Sequence, residues 1–431
     1  MSGAVAAGAA RAGAEVEAGS GGQPPRRSLR GLDALNFFMA DVQGGLGPYL
    51  ALFLASRAWH PGAIGIAMAT SSVAAAVCQI PAGLVVDATR GKRLIAAASG
   101  LLIAAACLAI AWVPVLPAVV AAQVAIGAAA ALVPPTLAAL ALGLAGRARF
   151  DATISRNQAF NHGGNFVAAA LVGTLGQFVG ILWIFYLICA FAVASALSTL
   201  LIDPSRIDHA LARGGEAETA GGRAAPAPIR DLLRRRDLRV FLASVALFHF
   251  GNAAMLPMAG QELAQAHPKD ATIALSACII VAQLVMVGVA WAVGRAEARG
   301  VGRKPVFLAA YALLPVRGVL FAVLTGPYSV VAIQVLDGVA AGIFGVVAVL
   351  IAADLMQGTG RFNLAQGLVA LSIGIAAGAS NVVGEYAVQW FGYATAFLVL
   401  AGIALCALAF FALFMPETKP SSGPAPGGSA A

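Results

Sequence analysis

This sequence is poor in charge. Only 11% of its 431 residues are Asp, Glu, Lys or Arg, against about 25% in an ordinary soluble domain. A water-exposed globule of this length needs far more than 27 cations and 19 anions to wet its surface, so a cytosolic fold is excluded. Cysteine is scarce as well. Cys78, Cys107, Cys189, Cys278 and Cys406 all fall inside apolar runs and no CxxC occurs, which argues against disulfides and zinc and reads each as a small buried apolar residue. Aromatics reach 7%, while Gly is found 49 times, a balance that suits helices approaching closely through small side chains.

What fills the chain instead is unbroken apolar sequence, such as residues 94–112. Period-two alternation, the mark of a membrane β-barrel, is missing. Apolar stretches occur at 33–56, 61–87, 94–113, 116–144, 157–180 and 181–202, then at 239–263, 272–294, 305–325, 328–353, 363–389 and 393–415. Each is near or above the roughly 20 residues that cross a bilayer as a helix. The expectation is an all-α membrane protein of twelve transmembrane helices: a disordered tail at 1–30, six helices over 31–203, a linker at 204–238, six helices over 239–416 and a second tail at 417–431.

Placing the amino terminus in the cytoplasm puts 24 of the 27 Lys and Arg on that side, as the positive-inside rule requires. Both termini are therefore expected to be cytoplasmic, in a bacterial inner membrane. The net charge of +8 then reflects lipid headgroups, with no clustered basic face for nucleic acid. Residues 229–239 (IRDLLRRRDLR) suit either a basic amphipathic helix on the inner leaflet or a solvated linker.

Sliding one half of the chain along the other exposes a repeat at an offset of 211. Gly83 falls on Gly294, Gly91 on Gly302, Lys92 on Arg303, Arg93 on Lys304, Gln123 on Gln334 and Gly127 on Gly338; Asp41 meets Asn252 and Asp87 meets Ala298. Two pseudo-symmetric six-helix bundles are implied.

At these residues the chain resembles the major facilitator superfamily, from about Leu32 to Met415. That family's loop between helices 2 and 3 has a Gly, three residues, an Asp and a basic Gly-Arg-Lys cluster. Here it reads Gly83, Asp87, Arg90, Gly91, Lys92, Arg93, with one extra residue before Gly91. The second copy is Gly294, Arg299, Gly302, Arg303, Lys304, with Ala298 in place of the acid. The resemblance implies a latch of charges that holds the outward-open state of a rocking bundle. It also implies a central cavity lined by helices 1, 4, 7 and 10. Two marks of the family's antiporters are altered: Gln123 stands where an Arg precedes the Gly of helix 4, and helix 5 has Gly163, Gly164, Gly173 and Gly176 but no Gly-Pro step.

Ionisable groups within spans are costly, so each is a functional candidate. Asp41 lies eight residues into the first span, about 12 Å along it. It is followed by Gln43, Gly44, Gly45, Gly47 and Pro48, which predict a bent helix. Asp41 is the expected proton-coupling or substrate-binding group. Arg317 and Asp337 lie at matching depths of helices 9 and 10 and are expected to form a structural ion pair. Asp337 is also a candidate for coupling. Asn157, Asn161 and Asn165 share one face of helix 5, and Asn161 and Asn165, with Gln43 and Asn252, are further candidates for substrate binding or proton coupling. His162 beside them, and His249 near Asn252 in helix 7, suit either proton relay or simple packing. Glu385 and Asp354 are expected to meet headgroup water.

No phosphate-binding loop, nucleophile elbow or zinc-protease motif is present, so neither an enzyme nor a cofactor or metal is expected. The partners expected are a small-molecule substrate, lipid and possible protons, for a monomer. The favoured function is proton-coupled export of a small organic solute by alternating access. The alternatives are proton-symport or facilitative uptake and, from another class, a non-transporting membrane receptor or enzyme.

Overall fold

The computed structural model describes residues 26–44, 46–209, 211–213, 229–356, 359 and 362–419. The first half contains α1 (Arg26–Gly44), α2 (Gly47–Ser56), α3 (Pro61–Ala88), α4 (Lys92–Trp112), α5 (Leu116–Ala145), α6 (Arg147–Phe178) and α7 (Trp183–Ser198). After the short α8 (Ile229–Arg234) come α9 (Arg236–Asn252), α10 (Met255–Ala266), α11 (Ala271–Ala298), α12 (Arg303–Val323), α13 (Pro327–Met356), α14 (Phe362–Phe391) and α15 (Tyr393–Phe414). Residues 26–30, expected in the tail, are helical; 1–25, 214–228 and 420–431 lie outside the described residues.

The first and seventh spans are each broken into two helices. In the first, α1 ends at Gly44 and Pro48 suits the first turn of the next helix, which starts at Gly47. In the seventh, Pro257 removes the N–H that would bond the Ala253 carbonyl, and α10 restarts at Met255. Among the described residues eleven helices are long and apolar enough to cross a membrane, with the broken pairs counted as single spans. The one that falls short on composition is α6, which is 32 residues long but carries Asn157, Gln158, Asn161, His162 and Asn165. It begins at Arg147, ten residues before the expected start. Residues 229–239 form no continuous amphipathic helix, because Arg235 is extended between α8 and α9.

The helices of each half pack in the same pattern. In the first, α3 lies against α5; in the second, α11 lies against α13. Two further pairs cross between the halves, α3 with α14 and α6 with α11, and the short α2 meets α10. The linker residues next to α7 fold back onto the first half, where the Asp208 N–H donates to the Gly143 carbonyl at 3.0 Å.

The apolar core shows how the halves meet. One cluster runs through the whole first half and continues into the far end of the second, through Met258, Leu275, Phe321 and Phe397. The second half's end nearer the termini has its own cluster, built on Phe241, Phe307, Tyr311 and Phe411. The two halves thus share a core at the end away from the termini and keep separate cores at the termini end.

Candidate translocation site

Hydrogen bonds between the halves follow the same polarity. Tyr49 and Ser276 hydroxyls lie 2.7 Å apart, and the Gly62 N–H donates to Gln389 Oε1 at 3.0 Å. Gln177 donates to the Lys269 carbonyl. At mid-depth His162 Nδ1 is 2.9 Å from Gln283 Oε1, joining α6 to α11. These contacts run from the far end of the bundle to its middle.

Asp41 is buried three residues before the break that ends α1, and its Oδ2 is enclosed without a hydrogen-bond partner. A cavity of about 140 Å³ is lined by Val42, the next residue in the chain, and by Leu46, and does not include Asp41 itself. Its polar lining is Ser71 and Ser72 of α3, Gln123 of α5 and Asn381 of α14. Gln123 donates to the Ala67 carbonyl at 3.1 Å, so the position where the family's antiporters carry an Arg here ties α5 to α3. Gln43 is helical, but its side chain lies outside the described residues.

On α6, Asn165 donates to Asn161 at 3.3 Å. Both polar atoms of the buried Asn157 side chain are without partners. A larger cavity, about 420 Å³, opens at the termini end between α1 and α6, where Phe37, Phe38 and Phe160 surround a salt bridge between Asp33 and Arg156.

In the second half Arg317 of α12 is fully enclosed and lies 2.8 Å from Asp337 of α13. The same guanidinium donates to Asn252, the last residue of α9, and to Gln334 at 2.8 Å. Gln334 donates in turn to Asp337 at 3.4 Å. Phe321 lies beneath the guanidinium at 5.2 Å. Four predicted or repeat-related positions therefore form one network around the broken seventh span. His249, one turn earlier, keeps its Nδ1 on the Val245 carbonyl at 3.1 Å and its ring against Phe344.

The loop motif is assembled differently from the simple picture of an acid beside its bases. Asp87 and Arg90 are exposed. Lys92 is buried, and its ammonium donates to the Val86 and Thr89 carbonyls at 3.1 and 2.8 Å, neutralising the C-terminal end of α3. Arg93 binds the Ile202 carbonyl at 2.5 Å, after α7. In the second copy Arg303 pairs with Asp354 at 3.2 Å, and Glu417 accepts the Arg303 and Lys304 backbone N–H groups at 2.9 and 3.1 Å. Arg299 and Gly294 are exposed.

Two expectations need correction. Asp354 meets Arg303 and Thr418 in place of headgroup water. Glu385 is 0% exposed and accepts a hydrogen bond from Gln261, because α3 and α10 cover the face of α14 that carries it. The spacing Asn381, Glu385, Gln389, a polar stripe at i, i+4 and i+8, was the available signal.

The Major Facilitator Superfamily family model matches residues 32–300 and 292–430. Two uncharacterized MFS-type transporters, from two strains of Mycobacterium tuberculosis, are each 42% identical over 401 residues, covering 92% of this chain and 95% of theirs. Among solved structures, a variant of the nucleoside transporter NupG superposes with a TM-score of 0.74 at 16% identity, covering 90% of this chain and 99% of that one. A D-xylose-proton symporter gives 0.65 at 16%, covering 91% and 98%. A peptide transporter variant in complex with alafosfalin gives 0.71 at 15%, covering 89% and 93%. These three share the fold; the family model and the mycobacterial relatives decide kinship. The chain belongs to the major facilitator superfamily and is a multi-pass membrane transporter of small molecules.

Proposed function

We propose that this transporter exports a small organic solute in exchange for protons, with two bundles, 31–203 and 239–416, rocking about a midplane site. Both termini are assigned to the cytoplasm of a bacterial cell, with the protein in its inner membrane, from the 24 cations gathered at that end. The observation that carries the reading is the asymmetry of the interface: a shared core and hydrogen bonds at the far end, separate cores at the termini end. A protein closed on one side of a central site and parted on the other is in one of the two states that alternating access needs. With this topology the state is inward-facing. The exposed Asp87 accords with it, since the family's loop latch belongs to the opposite state.

Asp41 supports coupling to protons, because an isolated carboxylate in a span is expensive to keep charged and cheap to protonate. Phe37, Phe38 and Phe160 around the Asp33–Arg156 pair offer an amphipathic solute a loading vestibule from the cytoplasmic side, which favours export. Uptake is the second reading, favoured by Gln123 in the place of the antiporter Arg and by the lack of a Gly-Pro step in α6. Accumulation assays in a deletion strain separate the two: export predicts that substrate builds up inside the mutant, uptake that it is depleted there.

A further inference from the structure

Asp41 leaves a second buried carboxyl unused. Glu385 of α14 is fully enclosed six residues from that helix's far end, and among the described residues no cation pairs with it. Its Oε1 accepts from Gln261 Nε2 of α10. Its Oε2 is buried without a partner, and so is Gln261 Oε1, on the very side chain it already touches. One proton resolves both orphans. A neutral carboxylic acid and a primary amide can bond twice, N–H to acid carbonyl and O–H to amide carbonyl. An ionised carboxylate here would leave two acceptors unsatisfied and an uncompensated charge in the membrane.

Part of what buries Glu385 belongs to the other half of the protein. The first turns of α3 lie on it: a Cβ at Gly65 would stand 2.6 Å from the Asn381 carbonyl and 2.7 Å from Glu385 Cβ. One turn outward, Gly62 bonds Gln389. The contact that hides Glu385 is the one that must break for the far end to open.

We propose that Glu385 is a proton-carrying residue of the far-end closure, protonated while the end is shut and ionised once α3 parts from α14. In the opening step the Oε2–H bond breaks, water in the new crevice takes the proton, and the carboxylate remains solvated. Closure reverses this and takes one proton from the far-side solution. The proposal rests on the alternating-access reading. Of the elements packed against α14, α10 contributes Glu262 and α15 contributes Tyr393, each in electrostatic contact with this corner. From α9 and α13 the far-half titratable groups are His249 and Asp337, engaged as described, and Tyr328, which is 90% exposed. The first turns of α3 carry no titratable side chain, and His60 precedes them. Tyr386 adjoins Glu385 on α14 itself.

The test places spin labels at A58C and A394C, on the far ends of the two halves, in the full-length protein freed of its native cysteines. Distances are measured in liposomes as the pH is varied. In the wild-type background the ratio of parted to closed populations is expected to rise with pH, by at most about tenfold per unit for one proton. E385Q, which keeps the amide-acid shape, is expected to stay closed at every pH. Infrared difference spectra provide a second readout, with a protonated-carboxyl band that E385Q removes and Asp41→Asn does not. Retention of the wild-type pH response in E385Q, or an unchanged carboxyl band, overturns the proposal. Far ends that never part in the wild-type background overturn the alternating-access reading itself, and the proposal with it.

Discussion

Gly127 and Gly338 occupy the same place in the two halves. A Cβ on Gly127 would collide with the Ser71 carbonyl, and one on Gly338 would lie 2.9 Å from the Ala282 carbonyl. Ser71 and Ala282 are 211 residues apart, as the two glycines are. The repeat read along the chain is thus a repeat of helix-to-helix contacts, α5 on α3 and α13 on α11.

This relationship predicts a position-dependent cost for adding a methyl group. Gly127→Ala and Gly338→Ala push one helix off its partner and should lower the melting temperature in detergent, Gly127 by more, with overpacking of about 1–3 kcal/mol. Gly83→Ala and Gly367→Ala, where no atom lies within 4 Å of the new carbon, should leave it unchanged. Equal losses at all four positions would contradict the packing account.

Removing Arg317 alone should be far more damaging than removing both members of its ion pair with Asp337. Arg317→Met strands Asp337, Gln334 and Asn252, and truncating one partner of a buried pair costs about 3–5 kcal/mol. Arg317→Met combined with Asp337→Leu should recover much of that loss in denaturant titrations. A double variant as unstable as the sum of its parts would show that the two side chains act independently.

The carboxyl-terminal segment should detach in acid. Burial alone would raise the Glu417 carboxyl, but the N–H groups of Lys419, Arg303, Lys304 and Thr418 outweigh it and hold it below its ordinary 4.5. A lowered carboxylate contributes its stabilisation above the unfolded value and loses it as pH falls through the folded one. After correction for intrinsic rates, hydrogen exchange at those four amides should therefore be pH-independent above about 5 and accelerate in stronger acid, and Glu417→Gln should exchange fast throughout.

The fold was highly legible because lipid imposes a simple code: the apolar runs match eleven helices long and apolar enough to cross a membrane among the described residues. The polar α6 was read as a span although its composition argues against one, since a stripe of Asn at helical spacing can face other helices. The break at Gly44–Gly47 was readable from glycine and proline; the break before Met255 needed attention to Pro257, which a single proline in an apolar run does not by itself announce. The meeting of Arg317 and Asp337 followed from equal depth on adjacent spans. Glu385 was misplaced because its burial comes from α10 and from α3, a helix more than 300 residues away in the chain, and no local pattern reports which face of α14 those helices cover. Lys92 and Arg93 look like surface charge by composition, yet they bind carbonyls at helix ends.

The central claim is that solute movement is tied to protons through Asp41. The direct measurement is solute flux in liposomes containing the purified protein, after a screen for solutes it carries, with and without an imposed pH gradient. Wild-type protein should accumulate solute against its gradient only when the pH gradient is present. Asp41→Asn should abolish that accumulation while leaving the protein folded. Unchanged pH-driven flux in Asp41→Asn would contradict the account.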